Sequence, residues 1–73
     1  MTLYTKPGCP KCDILIRKLD MKGATYNRVN DIEEIVRIGE EQGINTAPIL
    51  EIDGEYLDFS HANTYINNMV EVK

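Results

Sequence analysis

A chain of 73 residues has room for one domain, so we expect residues 1–73 to fold as a single unit, and as a monomer. The formal net charge of −4 argues against nucleic acid as a ligand, because nucleic-acid-binding surfaces are basic. No apolar run is long enough to cross a bilayer and the first residues do not resemble a signal peptide. We therefore expect a cytoplasmic protein without a membrane partner.

The first part of the chain predicts a strand, a helix and a second strand. Residues 2–5 have a strand-like composition, and the Pro-Gly pair that comes next marks a loop. Pro10 can open a helix that runs to residue 22, with Gly23 after its end. The apolar residues expected to face the core from this helix are Leu15, Ile16, Leu19 and Met21. A short second strand is expected over residues 25–30.

A second helix is expected from residue 32 onward. Asp31 is its predicted N-cap, because Glu34 follows at the spacing of a capping box. The helix is expected to end at Gly43, and Gly39 inside it weakens the helical pattern. The apolar positions expected to face the core are Ile32, Ile35, Val36 and Ile38.

A hairpin and a last helix complete the predicted fold. Residues 48–52 and 55–57 are expected to form antiparallel strands, because Asp53-Gly54 between them is a strong tight-turn signal. Ser60 is the expected N-cap of the last helix, whose apolar residues are Tyr65, Ile66, Met69 and Val70. The order βαβαββα predicts an α/β fold with a four-stranded mixed sheet and three helices, since a helical crossover makes the first two strands parallel.

The two cysteines of the chain, Cys9 and Cys12, lie three residues apart after the first predicted strand. This spacing puts both sulfur atoms on one face of a helix start, at a Cα separation of roughly 5–6 Å that a disulfide can bridge. A bridge so short removes little unfolded-state entropy, which favours a redox pair over a structural disulfide. The helix N-terminus, with Lys6 and Lys11 nearby, is expected to lower the pKa of Cys9 and make it the nucleophile, leaving Cys12 as the resolving cysteine.

Metal binding and simple burial are the alternatives to a redox role for the cysteine pair. A structural zinc site needs four ligands, whereas the chain has one histidine, His61, and no second cysteine pair, so no metal is expected. The cysteines could also be inert buried residues. From the sequence alone, Pro48 needs no role beyond that of a proline at the first residue of a strand. His61 is expected to be an exposed surface histidine and not a catalytic base.

Two segments of the sequence resemble the glutaredoxin family. The segment LYTKPGCPKC at residues 3–12 resembles its active-site segment, and TAP at residues 46–48 resembles its cis-proline loop. The Asp53-Gly54 turn follows at the family's usual interval. The resemblance covers nearly the whole chain. It implies a thioredoxin-like fold and a thiol–disulfide oxidoreductase that reduces protein disulfides or glutathione mixed disulfides.

The resemblance also implies roles for individual residues. Cys9 is the nucleophile and Cys12 the resolving cysteine, while Pro48 is cis and lies beside the two sulfur atoms. Lys6 helps to bind a carboxylate of glutathione, and the backbone of Ala47 pairs with glutathione or with an extended substrate. The substrate-binding residues expected on this basis are Lys6, Pro10, Lys11, Thr46, Ala47, Pro48 and Asp58.

The chain departs from the glutaredoxin pattern at several positions. Lys11 replaces a frequent tyrosine, and Asp58-Phe59 stands where a Gly-Gly pair is usual. The acidic pair that binds the glutathione amino group is replaced by HAN at residues 61–63. Asp58 is the candidate to substitute for that pair, although it lies earlier in the sequence. Phe59 is a candidate docking residue if it is exposed near the cysteines.

Residues 42–49 also resemble the glutaredoxin-like hydrogen donors of ribonucleotide reductase. Those proteins lack the acidic pair and accept electrons from thioredoxin reductase instead of glutathione. Glutathione and thioredoxin reductase are therefore both open as the reductant, and ribonucleotide reductase is open as the partner. A non-catalytic alternative is a module that holds an iron–sulfur cluster between two protomers, using the first cysteine and glutathione, as some relatives do.

Overall fold

A four-stranded mixed sheet and three helices make up residues 1–70, the part of the chain that the computed structural model describes. In chain order the elements are β1 (Thr2–Tyr4), α1 (Pro10–Met21), β2 (Asn27–Val29), α2 (Ile32–Gln42), β3 (Ile49–Ile52), β4 (Glu55–Leu57) and α3 (Phe59–Asn67). The strand order is β2-β1-β3-β4, with β1 and β2 parallel and the other two neighbouring pairs antiparallel. The predicted βαβαββα order and mixed sheet are confirmed.

The sheet buries side chains on both faces, because successive side chains of a strand point to opposite sides. Leu3 and Leu50 pair across β1 and β3, and both are fully buried against α1 and α3. The next pair along the strands, Tyr4 and Ile49, lies on the other face and packs with the buried isoleucines of α2. The two cysteines belong to this second cluster, so α2 and the cysteines share one face of the sheet.

Hydrogen bonds add to the apolar packing between α1 and α3. Lys18 Nζ donates to Oδ1 of Asn63 at 2.6 Å and to Oδ1 of Asn67 at 2.9 Å, so one cation joins two amides one turn apart on α3.

Within residues 1–70, no helix is both long and apolar enough to span a membrane.

The boundaries of α1 and α2 follow the capping signals in the sequence. Pro10 is the first residue of α1, where its missing N–H has no partner to lose. Asp31 caps α2 by accepting a hydrogen bond from the N–H of Glu33 at 3.0 Å, and Gly43 ends α2 with a φ of 71°. A positive φ favours glycine, so the predicted end of this helix is confirmed.

The prediction for α3 was wrong at both ends. Its N-cap is Asp58 rather than Ser60, because Asp58 Oδ1 accepts a hydrogen bond from the His61 N–H at 2.9 Å. The helix ends at Asn67, so Met69 and Val70 lie beyond it. The strands β1, β2 and β3 are also shorter than predicted.

Three apolar side chains that were expected to face the core are exposed. Met21 is 74% exposed because it lies two residues after buried Leu19, which is about 200° around the helix. Ile32 and Val36 are 57% and 52% exposed. At about 100° per residue, both point well away from the direction in which the buried residues of α2 face.

Candidate active site

Cys9 and Cys12 lie at the N-terminus of α1 with their sulfur atoms bonded to each other. Their Cα atoms are 5.2 Å apart, as the spacing of three residues predicted. Cys9 is the N-cap of the helix and Cys12 lies in its first turn. The Cys12 N–H donates a hydrogen bond to Cys9 Sγ at 3.1 Å, so this sulfur takes the place that a capping oxygen usually occupies.

The local sequence explains why the chain places a sulfur at this cap. Gly8 has a φ of 65°, a conformation that glycine adopts without strain, and it turns the chain from the loop into the helix. Pro10 then fixes the first helical residue. Cys9, between them, is held in an extended conformation with φ −112° and ψ 99°, which is typical of an N-cap.

The two cysteines are buried to different degrees. Cys9 is 6% exposed and Cys12 is 1% exposed, and both pack in the cluster with Ala47 and Ile49. An incoming group can therefore reach Cys9 more readily than Cys12. Cys9, which the sequence predicts to be the nucleophile, is thus the more exposed of the two, and Cys12, the predicted resolving cysteine, is the more buried.

The segment before β3 lies next to Cys9. The Ala47–Pro48 peptide bond is cis, as the resemblance implied, and Pro48 is fully buried. Thr46 is exposed, whereas Ala47 is 5% exposed and packs in the same cluster as the cysteines. A surface recess opens beside Cys9 and is lined by Lys6, Gly8, Cys9, Pro10, Lys11, Thr46 and Ala47.

The recess beside Cys9 carries positive charge. Lys6 and Lys11 both line it, and within residues 1–70 no carboxylate lies within ion-pair distance of either ammonium group. The N-terminus of α1 adds the partial positive charge of its N–H groups. Lys11 Nζ lies 5.3 Å from the ring centroid of Phe59, a contact between residues 48 positions apart that the sequence did not predict.

Asp58 does not line the recess beside Cys9. Its Oδ1 accepts the backbone N–H of His61, and Nδ1 of His61 lies 2.8 Å from the same oxygen. The two side chains lie instead at a separate recess, next to Tyr56 and Gln42. His61 is 75% exposed at its side chain, as predicted for a surface histidine. Phe59 is half-buried against the core cluster, not exposed.

We expect Asp58 to contribute to stability mainly through its cap. Hydrogen bonds from the backbone N–H and then the ring of His61 hold the pKa of Asp58 below its ordinary value of 3.8. A carboxyl whose pKa is lowered by folding stabilises the native state above its unfolded pKa and loses that contribution as pH falls through its folded pKa. Asp58→Ala is expected to lower the free energy of unfolding at pH 7 by about 1 kcal/mol.

Asp58→Asn is the matched control, because asparagine also caps helices but does not titrate. Urea unfolding at pH 7 and at pH 3 measures both variants. The stability advantage of the wild type over Asp58→Asn is expected to shrink as the pH falls below 3.8. An advantage that stays constant over this range would contradict the assignment.

The potential metal ligands of residues 1–70 come together at most in pairs, such as Cys9 with Cys12 and Asp58 with His61. Within residues 1–70, no three or more cysteine, histidine or carboxylate side chains come together in a group that could hold a metal ion.

Sequence reasoning placed Gly8 in a loop but missed that it turns the chain into α1, and it missed the contact of Phe59 with Lys11. The Pro-Gly signal before Cys9 pointed to a loop there, whereas nothing local links Phe59 to Lys11.

Comparisons with known proteins agree with this geometry. The sequence pattern of the family described as glutaredoxin matches residues 1–57. No curated protein sequence matches the chain significantly. A mutant of the thioredoxin-like protein BC3987 superposes with a TM-score of 0.71 and 24% identity, covering 92% of this chain and 97% of that one. The glutaredoxin-like protein NrdH-redoxin from Escherichia coli gives a TM-score of 0.77 and 19% identity, covering 99% and 96%.

The two solved structures show that the chain has a thioredoxin-like fold, as predicted. The match to the family pattern includes the cysteine pair, the cis-proline segment and all four strands. The protein therefore belongs to the glutaredoxin family of thiol–disulfide oxidoreductases.

Proposed function

We propose that the protein reduces disulfides of other proteins by a dithiol mechanism, with Cys9 as the nucleophile and Cys12 as the resolving cysteine. The observation that carries the proposal is the position of Cys9 Sγ at the N-terminus of α1, where it accepts the Cys12 N–H and borders an open recess. In the reduced protein, the same N–H and the helix dipole stabilise a thiolate on Cys9. A thiolate is the species that attacks disulfides.

The proposed reaction has two exchange steps. The Cys9 thiolate attacks one sulfur of the substrate disulfide, which forms a mixed disulfide and releases the other substrate sulfur as a thiolate that takes up a proton. Cys12 loses its proton and attacks Cys9 Sγ, which forms the Cys9–Cys12 bond and releases the second substrate sulfur, again protonated from water. Two electrons thus pass from the dithiol to the substrate disulfide.

The reductant that restores the dithiol is proposed to be thioredoxin reductase with NADPH rather than glutathione. The segment at residues 61–63 lacks the acidic pair that binds the glutathione amino group in the family. Asp58, the candidate substitute, is engaged by His61 and does not line the recess beside Cys9. This favours a dedicated electron donor, for which ribonucleotide reductase is a candidate partner.

A steady-state assay with the two reductants in parallel tests these proposals. The protein is supplied with a disulfide-linked peptide and either glutathione with its reductase or thioredoxin reductase with NADPH. A missing charge-assisted hydrogen bond costs about tenfold or more in affinity, so glutathione is expected to support turnover at least about tenfold more weakly than it would with the acidic pair present. Thioredoxin reductase is expected to be the faster reductant. Faster turnover with glutathione would contradict the choice of reductant. No turnover with either would contradict the function.

A further inference from the structure

The side chain of Lys11 is held by an aromatic ring from a distant part of the chain. Its ammonium group lies 5.3 Å from the ring centroid of Phe59, within the distance at which a cation is attracted to an aromatic face. Phe59 is the first residue of α3 and is half-buried against the core cluster, so its ring has a fixed place. A long lysine side chain that would otherwise sample many rotamers is thereby restricted next to the cysteines.

The ring restricts Lys11 without neutralising its charge. Within residues 1–70, no carboxylate lies within ion-pair distance of Lys11, and the acid next to Phe59 is engaged elsewhere, since Asp58 accepts the His61 N–H. Lys11 lines the recess beside Cys9 together with Lys6. On a protein of net charge −4, this recess is a local positive site next to the more accessible sulfur.

We propose that Phe59 is a positioning residue that holds Lys11 over its ring, and that Lys11 selects polypeptide disulfides with a carboxylate beside the reacting cysteine. The inference rests on the proposed function, because it names the class of substrate that Cys9 attacks. A carboxylate next to the substrate sulfur meets the Lys11 ammonium when that sulfur approaches Cys9. Opposite charges attract at this range, and like charges repel, so a lysine at the same substrate position is disfavoured.

The test compares two disulfide-linked peptides that differ only in the residues next to the cysteine, glutamate in one and lysine in the other. Neither peptide contains glutathione, so a preference for one of them must come from the residues next to its cysteine. The measured quantity is the ratio of kcat/KM for the two peptides at low ionic strength. Wild-type protein is expected to prefer the glutamate peptide by about tenfold, and the preference is expected to fall at high salt because ions screen exposed charges.

Three variants at Lys11 and Phe59, with one control variant at Arg17, test whether the preference depends on these two residues and not on surface charge in general. Lys11→Gln is expected to lower the ratio by about fivefold. Phe59→Leu keeps an apolar side chain but removes the π face, and is expected to lower the ratio by about two- to fivefold. Phe59→Tyr keeps the aromatic ring, so its ratio is expected to equal that of the wild type. Arg17→Gln, which removes a charge from an exposed position of α1, is the control and is expected to leave the ratio unchanged.

Each outcome bears on the proposal. Damage to the fold lowers kcat/KM for both peptides in parallel and does not change their ratio. A ratio that is lower in Phe59→Leu but equal to the wild-type value in Phe59→Tyr therefore supports a positioning role for Phe59. An equal ratio in the wild type and Phe59→Leu would overturn the role of Phe59. A wild-type protein that reduces both peptides equally well would overturn the selectivity but leave the proposed function intact. Failure to reduce either peptide would overturn the proposed function, and the inference with it.

Discussion

Replacing Cys9 by serine is expected to lower turnover of disulfide substrates by at least about a thousandfold, because the reaction loses its nucleophile. A serine hydroxyl at this cap still accepts the N–H that Cys9 Sγ accepts from Cys12, so the start of α1 is expected to be preserved. The loss is therefore chemical and not structural. It is measured as kcat/KM on a disulfide-linked peptide, with circular dichroism to show that the variant is folded.

Cys12→Ser is the matched control for this experiment. It keeps Cys9 and its surroundings but removes the resolving sulfur, so attack still produces a mixed disulfide that the protein cannot resolve by itself. Mass spectrometry is expected to find the peptide attached to Cys9 of this variant. Turnover of the peptide is expected to stop at this stage, because release of the second substrate sulfur requires the Cys12 thiolate. Normal turnover by Cys9→Ser, or attachment of the peptide to Cys12 in the wild type, would contradict the assigned order of attack.

The parts of the fold that the sequence predicted well depend on local backbone chemistry. Asp53 and Gly54 have φ values of 50° and 85°, and this pair is one of the few that readily adopts two successive positive values in a hairpin turn. Asp31 and Gly43 likewise begin and end α2 where a cap and a positive φ are needed. The cysteine spacing predicted the bridge for a similar local reason, since an N-cap residue and the third residue after it lie on the same side of the helix start.

The parts that were missed depend on choices or contacts that no local pattern encodes. Asp58 and Ser60 are both good capping residues two positions apart, and their propensities do not decide between them. The structure selects Asp58 because the strand β4 ends at Leu57, which leaves the next residue free to turn into the helix. The contact of Lys11 with Phe59 joins the start of α1 to the start of α3, and only the packing of the two helices brings these residues together.

Gly39 was interpreted from the sequence only as a residue that weakens α2, whereas the structure shows why a glycine is needed there. Within a helix, glycine costs stability relative to alanine, and on that ground it weakened the prediction of α2. In the structure, the chain turns back after α2, and the Ile44 N–H donates to the Gly39 carbonyl oxygen at 3.0 Å. A Cβ atom on Gly39 would approach the carbonyl oxygen of Ile44 far inside van der Waals contact. The glycine is thus required by the close approach of two backbones.

Gly39→Ala is therefore expected to destabilise the protein even though alanine is the better helix former. The gain in helix propensity is about 1 kcal/mol, whereas overpacking against backbone that cannot rotate away costs typically about 1–3 kcal/mol or more. We expect a net loss of up to about 2 kcal/mol in the free energy of unfolding, measured by urea denaturation. Glu40→Ala, at the exposed neighbouring position, is the control and is expected to change stability by less than about 0.5 kcal/mol.

The effect of Gly39→Ala is expected to reach the site as well as the fold. Ile44 lies three residues before Ala47, so a displaced Ile44 backbone shifts the segment that forms one wall of the recess beside Cys9. A shift of about 1 Å at a substrate-positioning segment can cost tenfold or more in rate. We expect kcat/KM of the folded variant to fall by roughly tenfold while Glu40→Ala retains wild-type activity. A Gly39→Ala protein more stable than the wild type would show that the two backbones can separate without cost, and that their close approach does not require glycine.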